Sequence, residues 1–111
     1  ELFSRLIEAA DSVPVSAHFH NTRGAGLANV LAAMQAGCAI FDTTIGGLGG
    51  CPFVPGATGN IDTADAVNML QELGIETGVR LDDLIECARL VEDIMGRRLP
   101  GHVMHAGPVK H

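Results

Sequence analysis

Residues 13–20, Val13-Pro-Val-Ser-Ala-His-Phe-His20, followed by Asn21-Thr-Arg-Gly24, decide how the rest of the chain is read. The run is β-branched at its start, has the length of a buried strand, and closes on a polar turn with glycine. Side chains alternate along a strand, so Val15, Ala17 and Phe19 share one face and can pack against a layer of helices. Ser16, His18 and His20 share the other. Two imidazoles at i and i+2 sit close enough to hold one divalent ion. Two hydrogen-bonded histidines at a strand end are the structural alternative.

Cys38 to Ile45 reads as a second strand, and the glycine-dense run Gly46-Gly-Leu-Gly-Gly-Cys-Pro-Phe-Val-Pro-Gly-Ala-Thr-Gly-Asn60 follows it. Glycine admits positive φ and close backbone approach, whereas Pro52 and Pro55 stiffen the turns, so a long shaped loop is expected. Such loops are commonly lids or binding loops. Cys51 lies at its centre among glycines and outside any apolar stripe, which makes it accessible. Cys38 and Cys87 fall in strand and helix patterns and read as packing residues. Asp42, inside the second strand, reads as a buried, hydrogen-bonded carboxylate that supports the site.

Outward from these segments the pattern alternates. Residues 2–11 form a helix with Leu2, Leu6, Ile7 and Ala10 on one stripe. Residues 23–36 form another, with Leu27, Val30, Leu31 and Met34 inward and Gly37 as its stop. Thr58 to Ile61 is expected as a short third strand. Asp62 or Thr63 caps the next helix, which turns Val67, Leu70 and Leu73 inward and closes at Gly74. A last helix spans about 81–96, with Leu81, Leu84, Ile85, Ala88, Val91 and Met95 on its stripe and Asp82 and Asp83 at its positive amino end. The fold class is therefore α/β, with parallel strands and alternating helices, and its site lies at the carboxyl ends of the strands.

His18-Phe-His20-Asn-Thr-Arg-Gly24 with Ala28-Asn29, then Gly46-Gly-Leu-Gly-Gly-Cys51-Pro and Gly56-Ala-Thr-Gly-Asn60, resembles hydroxymethylglutaryl-CoA lyases, members of the divalent-metal-dependent lyase and synthase superfamily built on TIM barrels. The resemblance runs from about residue 13 to residue 95. It implies the C-terminal portion of a TIM (β/α)8 barrel, in which His18, His20 and Asn60 ligate Mg²⁺ or Mn²⁺. The residues alone allow Zn²⁺ equally. It further implies that His18 accepts the substrate's hydroxyl proton, that Cys51 takes part in catalysis, and that Asn60, Gly49 and Gly50 contact an acyl-CoA thioester. The activity implied is cleavage of 3-hydroxy-3-methylglutaryl-CoA, or a related 3-hydroxyacyl-CoA, to acetyl-CoA and acetoacetate. A condensing synthase or ketoacid aldolase of the same superfamily is the alternative, although the related synthases lack the Gly-Gly-Cys-Pro loop. Asn21 and Arg23 stand where several such lyases carry aspartate and tyrosine, a departure that bears on the acyl group.

Size and charge set the remaining expectations. A closed barrel needs about 200 to 250 residues, and this chain has 111. Residues 1–98 are accordingly expected to be the C-terminal part of a larger lyase domain, and residues 99–111 a flexible tail. His102, His105 and His111 in that tail fit no single helix or strand face. The isolated chain is expected to be non-catalytic and to associate with its own copies through unpaired strand edges, as a homo-oligomer. A formal charge of −6 with scattered basic residues argues against nucleic acid. No apolar run reaches the roughly 20 residues of a membrane span. Three cysteines and no secretory segment at the amino end point to a reducing, cytoplasmic setting.

Overall fold

The computed structural model describes residues 1–50 and 59–111. Helix α1 (Leu2–Ala10) leads into strand β1 (Ser16–His18), helix α2 (Gly26–Gln35) and strand β2 (Ile40–Asp42). The two strands pair in parallel, with Ser16, Ala17 and His18 opposite Ile40, Phe41 and Asp42. A strand, a crossover helix and a parallel strand make one βαβ unit, as the alternation of patterns requires. Ala17 is buried while Ser16 and His18 are exposed, so the expected alternation holds along β1.

Helices α1 and α2 pack against this pair. Phe3 and Ile7 of α1 pack with Phe19 on Ala17, Ala33 and Cys38. Leu2 and Leu6 stay exposed, so the inward stripe of α1 is turned by about one residue from the expected one. In α2 the inward residues are Gly26, Val30 and Ala33. Gly26 allows close approach: a Cβ there would lie 2.7 Å from Ile61 Cγ1. The helix ends at Gly37, whose φ of 102° few other residues adopt.

After a tight turn at Ile45–Gly47 the described chain runs to Gly50 and resumes at Gly59. The expected third strand is reduced to single bridges, His20 with Asn60 and Thr44 with Asp62. Hydrogen bonds from Asn21 N to Gly59 O (3.1 Å), Ile61 N to Phe19 O (3.3 Å) and Thr44 N to Ile61 O (3.0 Å) show why. Residues 59–62 tie the carboxyl ends of β1 and β2 together and do not extend a ladder along either. Thr58, where that strand was expected to begin, lies outside the described residues.

Helix α3 (Thr63–Glu72) starts at Asp62, whose side chain accepts from Asp65 N at 3.2 Å. Helix α4 (Leu81–Met95) is stopped by Gly96 in the left-handed conformation and buries Ile85 and Ala88. Leu73 and Met95, expected inward, are exposed at the ends of their helices. Cys87 also departs from expectation: it is exposed, because it sits between the inward positions of α4 and not on them. Asp42 is exposed too.

The segment read as a tail contributes to the core. Leu99 and Met104 are 1% and 0% exposed and pack with Ala88. Val103–Ala106 forms a short helix, α5. Burying a leucine side chain in this way stabilises by about 1.5–3 kcal/mol. Among the described residues no helix is long and apolar enough to cross a membrane.

Candidate functional site at the carboxyl ends of the strands

The geometry of β1 brings His18 and His20 together. Their ring centroids are 5.2 Å apart, edge to face. The neighbouring strand adds a carboxylate, since the parallel register sets Asp42 opposite His18 and places its Oδ2 3.3 Å from His18 Nδ1. Asp42 thus supports a histidine, as expected, but from an exposed position. With Nδ1 turned toward the carboxylate, Nε2 is the ring nitrogen left for other work.

Asn60 joins this pair through the backbone bridge to His20. Its Nδ2 donates to Leu48 O at 3.1 Å, which fixes the orientation of the amide. Its Oδ1 is buried and, among the described residues, has no hydrogen-bond partner. A buried acceptor without a donor costs about 1–3 kcal/mol, so such an atom calls for a ligand. The close packing that holds Asn60 depends on glycine: a Cβ at Gly49 would lie 2.8 Å from Asn60 Nδ2.

Next to this group the chain builds a second feature that the sequence reading did not identify. A cleft of about 1120 Å³ is lined by Gly49, Gly50, Arg97, Arg98, His102 and His105, among others. The expected contact residues Gly49 and Gly50 therefore lie on the wall of a basic cleft. Arg97-Arg98 was visible as the one adjacent basic pair, and only the fold brings it to the glycine run. Cys51 lies outside the described residues.

Behind Asn60, Asp62 and Asp65 form a buried carboxylate pair. Burial, and then the charge of Asp65, push the Asp62 carboxyl up from 3.8 to about 6. Asp65 instead collects donors from the far end of the chain: His102 N at 3.0 Å, His102 Nδ1 at 2.8 Å and Val103 N at 2.7 Å. Sequence patterns gave no sign of this contact across 37 positions.

Among the described residues no three His, Cys, Asp or Glu side chains converge as a metal-binding group. The donors on hand are two imidazoles and the bare amide oxygen of Asn60. That set fits a divalent ion completed by oxygen ligands from elsewhere.

Comparison with known proteins places these features in context. The model of the HMGL-like family matches residues 1–91. A hydroxymethylglutaryl-CoA lyase of Bacillus subtilis is 48% identical over 86 residues, covering 78% of this chain and 29% of that protein. An (R)-citramalyl-CoA lyase of Chloroflexus aurantiacus is 44% identical over 104 residues, covering 94% of this chain and 33% of that protein. The chain spans about a third of the length of the relatives it matches. Among solved structures, an HMG-CoA lyase from A. baumannii in complex with coenzyme A and 3-methylmalate superposes with a TM-score of 0.90. It is 47% identical, and the match covers 96% of this chain and 35% of that one.

Proposed function

The chain belongs to the HMGL-like family, and from that premise we propose that the protein carrying it is a carbon–carbon lyase of the TIM-barrel class. On this reading the chain supplies the C-terminal strands of the barrel and the substrate is hydroxymethylglutaryl-CoA, cleaved to acetyl-CoA and acetoacetate. The observation that carries the reading is the buried Oδ1 of Asn60, without a hydrogen-bond partner among the described residues, on a residue whose backbone is bridged to His20. The related lyases support it.

His18, His20 and Asn60 would hold a divalent ion, Mg²⁺ or Mn²⁺ by family and Zn²⁺ by residue type alone. The chemistry such an ion supplies is polarisation of the substrate hydroxyl, which makes that proton easier to remove. His18 accepts the proton at Nε2, with Asp42 supporting the resulting imidazolium from the Nδ1 side. One Nε2 lone pair cannot both ligate the ion and accept the proton, so His18 would act as proton acceptor where His20, Asn60 and oxygen ligands from elsewhere hold the ion. Cleavage of the carbon–carbon bond leaves an enolate on the thioester side, and Cys51 delivers a proton to it. Gly49 and Gly50 admit the thioester along the cleft, where Arg97 and Arg98 meet the negative charge of the coenzyme.

A second acyl group has its own support. The (R)-citramalyl-CoA lyase is 44% identical over nearly the whole chain, and Asn21 and Arg23 depart from the pattern of several hydroxymethylglutaryl-CoA lyases. We further propose a reducing compartment, the cytoplasm, consistent with free thiols at Cys38 and Cys87. Self-association is proposed through the exposed Val13, Ile40 and the strand edges.

The test of the site is His20→Ala in the complete protein. Turnover dependent on Mg²⁺ or Mn²⁺ should be lost while the circular dichroism spectrum is kept, because His20 is a strand-end residue outside the core. Unchanged metal dependence would remove the assignment.

A further inference from the structure

We propose that the segment Leu99–Ala106 is a strap that positions the Asn60 amide, and that Asp65 and His102 are the residues that lock it. The inference deepens the reading of Asn60 as a site residue and rests on it for its functional meaning.

The lock is built from buried and directional contacts. Asp65 is 7% exposed, and its carboxylate receives His102 N, His102 Nδ1 and Val103 N at 2.7–3.1 Å. Further bonds brace the same segment: Leu99 N to Glu92 Oε2 at 2.8 Å, Arg89 Nε to Met104 O at 3.1 Å, and His105 Nε2 with Leu99 O at 3.1 Å. Ion-assisted bonds to a buried carboxylate are among the stronger ones available to a chain.

What the strap presses on is the start of the glycine run. Gly101 N donates to Gly46 O at 3.1 Å. A Cβ at Gly46 would collide with Leu99 Cδ1, and one at Gly47 would lie 3.1 Å from Pro100 Cγ and 3.4 Å from Asn60 O. Gly46 thus packs on Leu99, and Gly47 packs on both Pro100 of the strap and the Asn60 backbone. From them the run reaches Leu48, whose carbonyl holds Asn60 Nδ2. That bond decides which end of the amide is tied down and leaves Oδ1 without a partner among the described residues. Asp65 and His102 touch neither the imidazoles nor the amide, so they are positioning residues.

The experiment is solvent exchange of the Asn60 side-chain amide protons in the complete protein, read by NMR. Asn60→Asp identifies the resonance. His102→Ala removes one donor from an exposed side chain and should leave the fold in place. The strap account expects it to accelerate Asn60 exchange about tenfold while the Val30 amide of α2 is unchanged, and His102→Asn, which restores a donor near the Nδ1 position, to reverse the effect. Unchanged Asn60 exchange in His102→Ala would overturn the proposal. Equal acceleration at Asn60 and Val30 would overturn it too, because that marks general loss of stability. The measurement involves no substrate, so failure of the lyase reading, seen as absence of thioester cleavage by the complete protein, is a separate result.

Discussion

Gly59→Ala should destabilise the chain far more than a surface glycine substitution, and the reason is geometric. Gly59 has φ of 112°, outside the range alanine adopts without strain, which costs on the order of 1–3 kcal/mol. A Cβ there would also collide with Gly49 O and lie 2.6 Å from Gly47 O. Both atoms are backbone and cannot swing aside, so the two glycine segments must separate. Separation strains the bond from Asn21 N to Gly59 O, 3.1 Å long, worth about 1 kcal/mol. The sum is on the order of 2–4 kcal/mol before the collision itself is counted, a large part of the 5–15 kcal/mol typical of a domain. Gly24 is the control: its φ is 73° and nothing lies within 4 Å of an added Cβ, so Gly24→Ala should cost about 1 kcal/mol. Urea unfolding of both variants, followed by circular dichroism, gives the difference. Equal midpoints with unchanged slopes would refute the claim that the Gly47–Gly49 and Gly59–Asn60 segments are packed backbone to backbone.

Stability should also depend on pH through Asp62. Its folded carboxyl titrates near 6 against 3.8 unfolded, so between those values the folded chain holds more protons. Stability therefore falls as pH rises through that window, and Asp62→Asn should flatten the fall in urea titrations at pH 4 and pH 7. In the native chain a thiol reagent should modify Cys87 readily and Cys38 slowly, since Cys38 is buried and its Sγ approaches Val15 O and Ile40 O. Faster reaction at Cys38 would contradict the packing of β1 and β2. Cys51→Ser in the complete protein should lower turnover by about 10²-fold, the scale of lost acid assistance, with a KM change small beside it. The 111-residue chain alone should be inactive and self-associating by light scattering, whereas a monodisperse monomer that cleaves the thioester would contradict the incomplete-barrel reading.

Local signals carried the sequence reading furthest. The period-2 run at residues 13–20 put His18 and His20 on one strand face, and Asp62, Gly37 and Gly74 marked helix ends through chemistry that acts within a few residues. What stayed hidden depends on distant partners. No pattern near Asp65 shows that it accepts from His102, and nothing near Leu99 or Met104 shows that they complete a core with Ala88. Cys87 was misplaced because an apolar stripe on a helix has width, and one position off its centre is enough to face solvent. Asp42 was expected to be buried because it lies within an apolar strand, yet in a two-stranded sheet its face is open. The bond that orients Asn60 comes from the Leu48 carbonyl, and backbone acceptors leave no trace in side-chain patterns.

The most direct test of the central claim is product analysis with the complete protein, supplied with hydroxymethylglutaryl-CoA and Mg²⁺ or Mn²⁺ and, in parallel, with a chelator. The account expects acetyl-CoA and acetoacetate in equal amounts, formed only when the metal is present. Thioester cleavage that persists in the chelator, or a 2-oxoacid as the partner product, would contradict it.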